Sequence, residues 1–72
     1  MPMPTWKERH EIAQRHVAEG QRTIARQRAL IHRYKEFGSD TKDAEELLAA
    51  FERSQVVFEN EVARVIASPG VV

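Results

Sequence analysis

The sequence predicts an all-α fold: an antiparallel two-helix hairpin that dimerises into a four-helix bundle. Three observations predict it. Apolar and small residues recur at alternating four- and three-residue steps through two long runs, which keeps each set on one side of a helix. A single break, Gly38-Ser39-Asp40, separates the runs. The apolar arc of the first run is also too wide for one neighbouring helix to cover.

In chain order, Met1 to Pro4 reads as a frayed lead-in. Thr5 followed by Glu8 matches a capping box: the hydroxyl accepts from an early backbone N–H, and the carboxylate returns to the Thr5 amide. Helix one is expected over about 5–37. Its ladder is Trp6, His10, Ala13, Val17, Gly20, Ile24, Gln27, Ile31 and Tyr34. An adjoining stripe holds Ile12, His16, Thr23, Leu30 and Phe37. Together they span roughly 140–160° at about 100° per residue, which two neighbouring helices can cover and one cannot.

The turn occupies 38–40. Gly38 supplies the left-handed conformation that ends many helices. Ser39 or Asp40 caps the next helix, with Asp43, Glu45 and Glu46 in the first turn, where the dipole favours acids. Helix two is expected over about 41–67. Its ladder is Ala44, Leu48, Phe51, Gln55, Phe58, Val62 and Val65, with Leu47, Ser54 and Ile66 beside it and Val57 positioned to extend a second contact surface. Ser68-Pro69-Gly70 stops it, and Val71 and Val72 read as loose.

Four ladder residues stand out. Gly20 costs about 1 kcal/mol against Ala in a helix interior, and the hairpin register puts it roughly opposite Phe58. A small residue making room for a large one is the expected explanation, a hinge the other. Gln27 and Gln55 are polar at core positions. Such residues either fix register or reach water at the bundle edge. Trp6 is expected to plug the open end of the bundle, or else to be an exposed anchor for a partner or a membrane surface.

Seventy-two residues make one domain, 1–72, near the lower limit of independent stability. There is no cysteine, so disulfides and thiolate metal sites are excluded. Oligomerisation and very regular helix packing are the remaining common routes to a stable small fold. No stretch approaches the roughly 20 apolar residues a bilayer span needs, and the N-terminus carries no secretory pattern. A cytoplasmic protein with no membrane partner is therefore expected. Net charge is zero, but residues 1–38 carry eight Lys or Arg against four Glu, and residues 39–72 three against seven acids. Helix one is thus +4 and helix two −4, a division that sets pairing and orientation more than it adds stability.

Chemistry is poorly provided for. His10 and His16 are six apart and point about 120° away from each other, and His32 faces mostly outward, so no metal site or other cofactor is expected. His10 and His16 read as core-boundary residues, where an imidazole could make association pH-sensitive. No phosphate-binding glycine loop occurs, and two helices enclose no water-excluding pocket, so an enzyme is not expected.

What remains is surface. Ile12, Val17, Ile24, Leu30, Ile31, Phe37, Phe51, Phe58 and Val62 are the expected core and dimer interface. Arg15, Arg22, Arg26 and Arg33 lie within about 40° of one another opposite the core ladder. They are a candidate face for nucleic-acid phosphates or an unidentified acidic protein. Glu8, Glu11 and Glu19 share that exterior, with Glu11 four before Arg15; Arg22, Arg26, Arg28, Arg33 and Lys35 are expected to stay unpaired. Zero net charge and the lack of exposed aromatics among the arginines weigh against nucleic acid.

The runs His16-Val17-Ala18-Glu19-Gly20, Ile24-Ala25-Arg26-Gln27-Arg28, Gly38-Ser39-Asp40-Thr41 and Ala44-Glu45-Glu46-Leu47-Leu48, with Phe51, resemble a group of short bacterial two-helix proteins of unassigned function. The likeness covers about residues 12–58. It implies a stand-alone helical hairpin and no reaction, ligand or catalytic residue.

Overall fold

A computed structural model describes residues 3–67. Half of the lead-in, the Ser68-Pro69-Gly70 stop, Val71 and Val72 lie outside the described residues. Two helices, α1 (Trp6–Glu36) and α2 (Lys42–Ala67), pack against each other in antiparallel directions, so the fold is an all-α hairpin.

The ends of α1 are fixed by side-chain chemistry and glycine geometry. Thr5 Oγ1 accepts from the Glu8 amide at 3.1 Å. The second half of the expected capping box differs: the Thr5 hydroxyl donates to Glu8 Oε1 at 3.2 Å, so the carboxylate meets the hydroxyl and not the Thr5 amide. At the other end Phe37 is the C-cap and not a helical residue. Gly38 takes φ +69°. The Gly38 amide then donates to Lys35 O at 3.1 Å and the Ser39 amide to Tyr34 O at 2.9 Å, the paired bonds of a Schellman motif. Asp40, and not Ser39, serves α2: its Oδ1 accepts from the Lys42 amide at 3.0 Å. Asp43 and Glu45 follow in the first turn.

The seam between the helices is thin. Its buried apolar residues are Ala13, Ile31 and Val65. No side chain among the described residues is fully enclosed. Val17, Ile24, Leu48, Phe51, Phe58 and Val62 are half-buried along the same seam. Tyr34, placed on the ladder by its spacing, is exposed. A straight helix drifts about 20° per heptad from a 3.5-residue repeat, and by Tyr34 the ladder has left the contact.

Both ladder glutamines are buried, at 8% and 7% exposure for Gln27 and Gln55, and neither reaches water at an edge. Gln27 Nε2 donates to Ala44 O of α2 at 2.8 Å, and Gln55 Nε2 donates to Val17 O of α1 at 3.0 Å. Each amide is thus tied to the backbone of the opposite helix. A slide of either helix by one turn would break both bonds, so the two glutamines specify register.

Gly20 makes this possible. A Cβ there would collide with Gln55 Oε1 and Cδ and lie 3.3 Å from Phe58 Cδ2. The residue given room is therefore Gln55 first and the expected Phe58 second. α1 runs through Gly20 without interruption.

Trp6 closes the open end. It is half-buried, stacks on His10 with ring centroids 5.1 Å apart, and donates from Nε1 to Val65 O at 2.6 Å. The partner that helix geometry would give Val65 O is the amide of residue 69, which is proline and has no N–H. The indole takes the place of the i+4 amide that Pro69 cannot supply.

Candidate functional site

The hairpin has two flanks, and they differ. One is polar and tied. Arg28 pairs with Glu52 at 3.6 Å and Lys35 with Glu45 at 3.5 Å, both across the two helices. Two shallow grooves there share Glu59, one lined also by Ile24, Arg28, Glu52, Gln55 and Val56 and the other by Gln14, Val17, Ala18, Gln21 and Val62. These ion pairs are exposed and add little stability. They nonetheless mark this flank as one that tolerates water.

The other flank is open. Two shallow grooves run along it and share His16. One is lined by Arg9, Ile12, Ala13, His16 and Glu61, the next by His16, Glu19, Gly20, Thr23, Phe51, Ser54 and Phe58. The His16 ring leans on Phe58 at 5.4 Å between centroids. Among the described residues no ion pair bridges the two helices on this side.

Toward the turn the open flank becomes apolar. His16, Thr23, Leu30 and Phe37 stand seven residues apart, so they form one stripe down α1. Leu47, Ser54 and Glu61 form the matching stripe on α2. Phe37 is 78% exposed, Leu47 47% and Ile12 42%. Leu30 is half-buried. Of the nine residues expected in the core or interface, Ile31 is buried and Val17, Ile24, Leu30, Phe51, Phe58 and Val62 are half-buried. Ile12 and Phe37 lie on the surface of the single hairpin. Glu61 belongs to the open flank and was missed by ladder reading. Its seven-residue step from Ser54 was the available signal. Val57 and Ile66 are exposed as well.

Arg15, Arg22, Arg26 and Arg33 are all exposed on α1. None takes part in an ion pair among the described residues, although Glu11 precedes Arg15 by four. The Arg26 guanidinium donates to Thr23 Oγ1 at 3.4 Å. Arg28 and Lys35, expected to be unpaired, are instead engaged with α2, because their angular position carries them to the tied flank.

Among the described residues, no group of three or more His, Asp or Glu could hold a metal ion, and no helix is long and apolar enough to cross a membrane. His10 stacks on Trp6 and His32 meets Glu36 at 2.9 Å, so neither converges with His16. No family model, curated protein or solved structure matches the chain.

Proposed function

We propose that this chain is a non-enzymatic, cytoplasmic interaction or regulatory module, a hairpin that is half of a four-helix bundle and is completed by self-association. The observation that carries the reading is its surplus of surface. The chain exposes 5727 Å². A compact monomer of 8.3 kDa is expected to expose about 4,600 Å². The surplus of about 1,100 Å² compares with about 800 Å² hidden per partner in a standard interface. The hairpin is also extended, 53 × 19 × 15 Å with a radius of gyration of 16.4 Å, against about 11 Å for a compact domain of this length. Two rods whose described residues include three buried apolar ones gain most by sharing a larger core.

Thermal melting followed by circular dichroism tests this reading. Unfolding of a dimer releases two chains, so each tenfold rise in concentration should raise Tm by about 5 °C, given about 0.7 kcal/mol of enthalpy per residue over two chains. A Tm independent of concentration would overturn it.

A second reading has one observation in its favour, the four arginines free of ion pairs among the described residues. It makes the back of α1 a phosphate-contacting face. Titration with RNA and duplex DNA at low and moderate salt should then give a log–log slope near −0.9 per phosphate neutralised on the duplex. Replacement of Arg22, Arg26 and Arg33 should abolish binding with helicity unchanged. Absence of binding at low salt would dismiss this second use.

A further inference from the structure

We propose that a second copy of this chain closes the open flank with both turns at the same end of the bundle, α1 of each copy lying over α2 of the other. The inference rests on the self-association reading and adds the face and the orientation. The face follows from the contrast between the flanks: one is laced by Arg28–Glu52 and Lys35–Glu45, with exposed Val56 beside them, whereas the other has no ion pair between the helices among the described residues and carries the exposed Phe37, Leu47 and Ile12.

The orientation follows from the gradient along that face. Within one hairpin His16 lies level with Glu61, and Thr23 with Ser54, since each pair lines one groove. Seven residues further in each direction, Leu30 lies level with Leu47. The flank therefore runs from polar at the open end to apolar at the turn. A dyad parallel to the long axis preserves these levels. It sets Leu30 on Leu47 of the other copy, Thr23 on Ser54 and His16 on Glu61, with the two Phe37 side chains gathered at the turn end. A dyad across the long axis reverses one copy. It sets Leu47 against Glu61 and Leu30 against His16, which presses an imidazole and the carboxylate of the Glu61–Arg64 ion pair onto leucine. Charge favours the first arrangement too. α1 is the basic half and α2 the acidic half, so same-end packing lays opposite signs together, and reversed packing lays like on like. Every helix is then antiparallel to both neighbours.

The chain has no cysteine, so one engineered cysteine gives one labelling site. Ser39→Cys and Lys7→Cys, both at exposed positions at opposite ends of α1, would each carry a nitroxide in separate samples. Same-end packing with helix axes about 8–10 Å apart predicts intermolecular distances of roughly 20–30 Å at both positions. Reversed packing places each pair near the 53 Å length of the hairpin. Short distances at both sites support the proposal. Long distances with a dimeric mass overturn the orientation and leave self-association standing. A monomeric mass with no dipolar coupling overturns both.

Discussion

Gly20 has no Cβ where the Gln55 amide oxygen rests, and that vacancy lets a buried glutamine cross the seam to Val17 O. Gln55 Oε1 is buried with no hydrogen-bond partner among the described residues. The pair makes a signed prediction. With Gln55 present, Gly20→Ala should destabilise by about 1 kcal/mol or more, because the new methyl evicts the amide and outweighs the propensity gain. In a Gln55→Ala background the same change should stabilise by up to about 1 kcal/mol, the propensity gain alone. Denaturant unfolding of the four proteins checks this, and a shared sign in both backgrounds would refute the packing described. The spacing of Gly20 and its level with Phe58 were legible in the sequence. That Gln55 takes the space first was not, since it depends on which rotamer of a long side chain reaches over.

Helix boundaries were largely written in local chemistry. Thr5, Gly38 and Asp40 each act within a turn of their own position, so their effects are readable without tertiary structure. Phe37 was misjudged because apolar spacing continues one residue past the point where the Schellman bonds close the helix. The tie between Trp6 and Val65 O joins residues 59 apart. Only its reason was visible, in the missing N–H of Pro69. Trp6→Phe should keep the stacking on His10 and lose the indole donor to the Val65 carbonyl. The expected cost is about 1 kcal/mol in denaturant unfolding. Amide exchange should quicken in the last turn of α2 while the turn region is unchanged. Unaltered stability and exchange would show that the bond contributes nothing.

At the scale of the molecule, the two helices and their opposite charges could be read from residue counts and periodicity. The difference between the two flanks could not. Arg28 and Lys35 look as free as Arg22 and Arg26 on a single helix, and only the placement of α2 shows that the first two have acids to meet. The open flank was half legible. Leu30 and Phe37 stood out as a stripe too wide for one partner, whereas Glu61 drew no notice because it is charged. That polar member gives the flank a direction, and with it an orientation for a second copy. Leu30→Glu should weaken assembly, since it sets a carboxylate against leucine in the proposed interface.

The account depends on the hairpin being half of a larger core, and sedimentation equilibrium on the unlabelled chain tests that most directly. The predicted result at micromolar concentration is twice the 8.3 kDa chain mass, with dissociation of Leu30→Glu shifted upward by about tenfold in concentration or more. A wild-type mass of one chain across the whole range, with helicity intact, would contradict it.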